Sequence, residues 1–144
     1  IASGLAGVAI TNACAGLAHS YDHPGPAFGF AHGNICGLML PYTMKYVGVH
    51  PSYATIAKRL GYKGTDRELT QALIDHLFGL MKKLGLKTSF KEFDIDRDAY
   101  MEAAKTWAEI SLSAFATVVS PAEMTAEKGV EMYTDCFDGN YPEV

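Results

Sequence analysis

Three of the chain's five histidines, His19, His23 and His32, fall inside the run HSYDHPGPAFGFAHG. Imidazole nitrogen is the commonest protein ligand for zinc and also suits ferrous iron, so the run is a candidate divalent-metal site. His19 and His23 are four positions apart, which on a helix places both rings on one face. His32 returns from the far end of a loop rich in glycine and proline. Asp22 is the sole acidic residue ahead of Lys58, and none of the three histidines is read as paired with a cysteine. A catalytic metal needs roughly three or four protein ligands, so this run supplies part of a set. A histidine pair on a helix serves as readily to hydrogen-bond in a core or on a surface, and spacing alone leaves both roles open.

Helices must position these groups. Residues 4–21 are uncharged up to Tyr21 and apolar nearly all round, which predicts a buried central helix with a small-residue surface. Pro24 and Pro26 end it, because the residue before a proline is pushed out of the helical region. PGPAFGFAHG then reads as a loop, and residues 34–47 as a second buried helix that Pro41 kinks or breaks. Residues 51–60 form a short amphipathic helix ended by Gly61. Thr65 and Glu68 make a capping box for a helix with Leu69, Leu73, Leu77, Leu80 and Leu84 at helical spacing, with Lys82 and Lys83 in its last turn and Gly85 after it. Asp96 caps a helix over 97–113 carrying Tyr100, Met101, Ala104, Ala108, Ile110 and Leu112 as its apolar stripe. Thr125 caps a last helix over 126–137. LKTSFKEFDI and FATVVSPAEM are connectors. No segment alternates as a strand does, so the expectation is six helices and no sheet.

Composition agrees with one domain over 1–144. Hydrophobic residues make up 49% and charged residues 19%, the balance of a globular chain. The net charge is -4 with scattered basic residues, which leaves no footprint for nucleic acid. The uncharged start is rich in Gly, Ala, Ser, Thr and Asn and has no Lys or Arg before it, so it is read neither as a membrane span nor as a signal peptide. Cys14, Cys36 and Cys136 are odd in number and form no CxxC pair. They are expected as free, buried thiols in a reducing compartment, the cytoplasm.

The segment ITNACAGLAHSYDHPGPAFGFAHGNICGLMLPYTMKY resembles the metal-binding region of the iron-containing (group III) alcohol dehydrogenases. That family reads SNAxxGxxHxxxHxxG on a helix, then a loop ending PHG, then a helix with LLP. Asn12, Ala13, Gly16, His19, His23, His32, Gly33, Leu40, Pro41 and Met44 match in order. Downstream, LGLKTSFKEFDIDRDAY and SPAEMTAEKGVEMY follow the family layout. The resemblance implies an all-α, multi-helix C-terminal domain of the iron-containing alcohol dehydrogenase and dehydroquinate synthase-like fold. It implies that His19 and His32 are metal ligands and that His23 is a catalytic histidine beside the metal. The metal would be Fe2+ or Zn2+, and the reaction hydride exchange between an alcohol and NAD or NADP. The family's first two ligands, an Asp and a His, lie upstream, as does the glycine-rich nucleotide loop; neither occurs in these residues. The chain is therefore expected to be the C-terminal part of a larger dehydrogenase, inactive alone, partnered by its own N-terminal nucleotide-binding domain, and self-associating through an uncovered apolar face.

Several departures mark a divergent branch. The His23 to His32 loop is one residue short, and Ala31 replaces a proline. Asp22 stands where the family has a small residue, and Ile10 where many members have an aromatic residue at the substrate pocket. Ser120 and Ala122 replace the Asn and Arg of a terminal NPR. Two rival readings stay open: a helical binding or assembly module without chemistry, and a metal hydrolase using His19, His23 and Asp22 or His32. Phe28 and Phe30 are read equally as pocket walls or loop anchors. His50 is read as a surface-loop histidine, His76 as a helix-boundary one, and Cys14 and Cys36 as packing groups.

Overall fold

The capping box at Thr65 forms as its spacing predicts. Thr65 Oγ1 accepts from the Glu68 backbone N–H at 3.3 Å, and Glu68 Oε2 accepts from the Thr65 N–H at 2.8 Å. Asp96 and Thr125 cap their helices in the same way, accepting from Ala99 N at 2.8 Å and Lys128 N at 3.2 Å. The computed structural model describes all of Ile1–Val144. It contains nine α-helices and one short 3-10 helix, with no strand. In order these are α1 (Ala2–Ala13), α2 (Leu17–Ser20), α3 (Pro24–Phe28), α4 (His32–Val47), α5 (Pro51–Arg59), α6 (Asp66–Lys83), the 3-10 turn Phe90–Glu92, α7 (Arg97–Leu112), α8 (Phe115–Val118) and α9 (Ala126–Asp138). None is long and apolar enough to cross a membrane.

Two helix pairs make the frame: α7 with α9, and α5 with α6. Helix α4 links them and carries α2 on its flank. The core between them is aromatic. Tyr100 on α7 is fully buried, with its ring centroid 5.2 Å from Phe90, 5.5 Å from Trp107 and 4.8 Å from Phe137. Helices α7 and α9 meet closely at Gly129, where a Cβ would lie 2.7 Å from the Ala108 Cβ and 3.2 Å from its Cα. Gly129→Ala is therefore expected to push the pair apart and cost about 1–3 kcal/mol, the range for overpacking a tight contact. A urea titration checks this, and an unchanged midpoint would show that the helices yield freely.

The fold corrects the expected elements in several places. The first helix is not buried: no residue of α1 is, and Leu5, Val8 and Ile10 are half or more exposed. Its composition permits burial, but no element of this chain lies over it. Nor does that helix reach Tyr21. It stops at Cys14, whose φ of 63° and ψ of 173° leave the helical region, and α2 begins afresh at Leu17. The proline loop contains the short helix α3, because Pro24 takes the first helical position, where a missing N–H costs nothing. Pro41 does not break α4. FATVVSPAEM holds the short α8, and LKTSFKEFDI the 3-10 turn. On α6 the buried stripe runs through Leu69, Leu73, Ile74, Phe78 and Met81, leaving Leu80 and Leu84 exposed. On α7 Ile110 faces out, and Ser111 is buried instead, donating to the Ser20 carbonyl of α2 at 2.8 Å.

Candidate metal centre

Three elements converge on the histidine run. His19 lies in α2, and His32 is the first residue of α4. The Ser111 bond to Ser20 and the Tyr133 hydroxyl donating to the Tyr21 carbonyl at 3.2 Å pin the end of α2 to the core. Phe28 anchors α3, stacking on Tyr100 at 6.1 Å and meeting Trp107 edge-on, while Phe30 packs on Phe93 at 4.6 Å. Both phenylalanines are thus loop anchors, packed against the core. With both ends of the loop fixed, the rings of His19 and His32 come edge to face with centroids 4.5 Å apart.

Asp22 hydrogen-bonds Nδ1 of His32. Its side chain is only 18% exposed. An ionised carboxylate accepts only, so Nδ1 carries the proton and Nε2 presents its lone pair. A carboxylate behind a histidine is the usual outer partner of a metal-binding imidazole. Asp22, His32 and Cys36 place donor atoms all within 4.8 Å of one another. Helix α4 starts at His32, so Cys36 lies one turn further along the same face. Its Sγ lies beside the His32 ring, 3.6 Å from Nε2 and 3.7 Å from Nδ1.

These positions revise the expectations for the site. His32 has a cysteine neighbour after all, and Cys36 and Cys14 are partly exposed, whereas Cys136 is buried. Burial, reinforced by Asp22, pushes the Cys36 thiol up to about 11. His19 and His23 do not share a helical face, because α2 ends at Ser20 and His23 instead precedes α3 as its cap residue. His23 is half-buried and outside the tight cluster. Burial pushes its imidazole pKa down, against a smaller upward pull from Asp22. The ring is therefore held toward its neutral form.

His19 and Cys36 open onto a cleft of about 820 Å3. Its walls are largely apolar and include Ile10, Leu17, Leu40, Val47 and Val119, with Thr43, Ser120 and Tyr53 among its polar groups. His50 also borders it, half-buried, with Nδ1 accepting from Ser52 N at 3.2 Å to cap α5; it is not a free loop histidine. His76 sits apart on α6, beside the Tyr62 hydroxyl at 3.1 Å. The donor set fits a divalent metal: two adjacent imidazoles, one with its lone pair directed by a carboxylate, at the edge of a cavity large enough for a small molecule.

Fold and site define an all-α domain that brings two histidines from different helices together beside a cleft. The chain belongs to the iron-containing alcohol dehydrogenase family: the family model described as "Fe-containing alcohol dehydrogenase family, C-terminal" matches residues 1–137. Among similar proteins is an NADPH-dependent butanol dehydrogenase of Clostridium saccharobutylicum, 29% identical over 139 residues, a match covering 94% of this chain and 36% of that protein. Among solved structures, an alcohol dehydrogenase from Oenococcus oeni superposes with a TM-score of 0.81 at 26% identity, covering 92% of this chain and 35% of that one. An iron-containing alcohol dehydrogenase from Thermococcus thioreducens gives 0.80 at 26% identity, covering 94% and 35%. The chain spans about a third of the length of these relatives. The all-α architecture expected from the sequence is thus shared with the matching region of iron-containing alcohol dehydrogenases.

Proposed function

We propose that this chain is the metal-binding domain of an NAD(P)-dependent alcohol dehydrogenase that oxidises alcohols and reduces aldehydes or ketones. The observation that carries the reading is the meeting of His19 and His32, from two different helices, beside an apolar cleft that His19 lines, in a member of this family. His19 and His32 would hold Fe2+ or Zn2+, completed by an Asp and a His from an upstream segment. Bound there, the metal supplies Lewis acidity that lowers the pKa of the alcohol hydroxyl. Hydride chemistry belongs to NAD or NADP, carried by an N-terminal nucleotide-binding domain.

The chain's own residues do the rest. Asp22 holds His32 in the tautomer that leaves Nε2 free. The apolar cleft wall orients the carbon skeleton and keeps water away. Ile10 in place of an aromatic residue widens that wall. His23, kept toward neutrality by burial, accepts the proton on its way to solvent. The partner for the exposed apolar residues of α1 and α8, among them Leu5, Val8, Phe115 and Val118, is the nucleotide-binding domain or a second copy. A cytoplasmic homo-oligomer fits the free thiols and this face.

Elemental analysis of the untagged protein tests the reading. With the nucleotide-binding domain present, about one iron or zinc per chain is expected, lost in His19→Ala. These 144 residues alone, mixed with NAD, ferrous iron and simple alcohols, should form no NADH. A full-length protein that binds no metal, or turnover by these residues alone, would overturn it.

A further inference from the structure

We propose that the cleft takes an uncharged alcohol with a second oxygen about six to eight carbons from the first, and that His50 reads that second oxygen. This rests on the reading of the cleft as the alcohol site. Cys36, Leu40, Thr43 and Val47 line it from α4 at helical spacing, so it follows one face of that helix. From Cys36 to Val47 that face runs about 16 Å at the helical rise. His19 stands at the near end, since its ring meets that of His32 at the start of α4. His50, Ser52 and Tyr53 stand at the far end, beyond the Gly48 that closes α4. Between them the floor is open at Gly37, where nothing lies within 4 Å of a Cβ position. With about 3 Å at each end for polar contacts, the remaining length holds an extended chain of about seven carbons between two oxygens.

The lining selects against charge. No Asp, Glu, Lys or Arg borders the cleft, so a carboxylate or ammonium on the substrate would lose its hydration without gaining a partner. Along its length Leu40, Val47 and Val119 are apolar, and each methylene they cover adds to binding. The far end differs. Nδ1 of His50 accepts from the Ser52 N–H at 3.2 Å, which leaves the ring proton on Nε2. That N–H has no hydrogen-bond partner within the chain. The half-buried ring is held by its capping bond to α5 and by Tyr53, whose ring centroid lies 5.7 Å away. A held donor without a partner, at the end of an apolar channel, favours a hydroxyl or carbonyl oxygen there; a plain alkyl end would cover the N–H and leave it unsatisfied.

The test is a chain-length series on the full-length protein. Straight-chain primary alcohols from butanol to heptanol are compared with the terminal diols of the same lengths, by NADH or NADPH formation and by melting temperature. For the alcohols, kcat/KM should rise about 3–4-fold per methylene. After the statistical factor for its two ends, 1,7-heptanediol should exceed 1-heptanol by about 3–10-fold, the worth of one hydrogen bond, and 1,4-butanediol should show no such advantage over butanol. His50→Asn keeps a side-chain acceptor for the α5 cap but has no N–H where Nε2 lies. It should erase the heptanediol advantage and keep the chain-length slope. Heptanediol should also raise the melting temperature more than butanediol at equal concentration, and less so in His50→Asn. Turnover that is flat with chain length, no heptanediol advantage, or an advantage that survives in His50→Asn overturns this inference and leaves the dehydrogenase reading standing. No turnover with any alcohol overturns the dehydrogenase reading; melting shifts that grow with diol length and depend on His50 would then still support the cleft assignment, and their absence would overturn it as well.

Discussion

Tyr100→Ala is expected to destabilise the domain by about 3–5 kcal/mol, the cost of deleting a fully buried aromatic side chain. Tyr100 has no exposed surface, and the rings of Phe28, Phe90, Trp107, Tyr133 and Phe137 surround it. These rings come from α3, the 3-10 turn, α7 and α9, so one cavity loosens four elements together. Against a typical total of about 5–15 kcal/mol this is a large share, and the melting temperature should fall by about 10 °C or more. Tyr100→Phe is the matched control. The Tyr100 hydroxyl has no hydrogen-bond partner in the chain, so its removal leaves packing intact and stability equal or higher by about 1 kcal/mol. Thermal melts of both variants check the pair. A Tyr100→Phe variant as unstable as Tyr100→Ala would mean that the hydroxyl, and not the ring, holds the core. Because Phe28 stacks on Tyr100, the alanine variant should also loosen α3 and the His23 that precedes it.

His32→Ala should reduce metal affinity of the full-length protein by more than about 100-fold, exceeding the roughly 10–100-fold cost of losing an outer partner. Its side chain is 55% exposed, so truncation leaves the core untouched and the melting temperature of the metal-free protein near that of wild type. His76→Ala removes a half-buried imidazole from α6, far in sequence from His32, and should leave metal content unchanged. Competition with a chromophoric chelator gives the affinities. Equal zinc affinity in His32→Ala and wild type would remove His32 from the site and shift the ligand role to His23, the remaining histidine of the run.

Much of the frame is legible in the sequence because its signals are local. Thr65 with Glu68, Asp96 and Thr125 act on groups three residues away, so their caps and the helices α6, α7 and α9 follow from spacing alone. Burial is not local. The apolar residues 2–13 specify a helix, but whether it is covered depends on what lies over it, and here no element of the chain buries any of its residues. The same holds for the drift of the buried stripe from Leu80 and Leu84 to Phe78 and Met81 on α6, which is set by where α4 and α5 lie.

The site divides along the same line. The residue types and order of His19, His23 and His32, with the surrounding glycines and Pro41, are enough to mark a family. The early helix break at Cys14, the helical turn at Pro24 and the start of α4 at His32 decide the rest. Those three backbone choices separate His23 from the shared face, bring His19 against His32, and place Asp22 and Cys36 together beside the same imidazole. Sequence by itself determined the helices, their caps and the candidate ligands, since each rests on contacts within a turn or on the chemistry of single side chains. Only the tertiary structure decided which ligands meet, which face is left bare and which thiol joins the histidines, because those depend on packing between segments that the chain brings together from a distance.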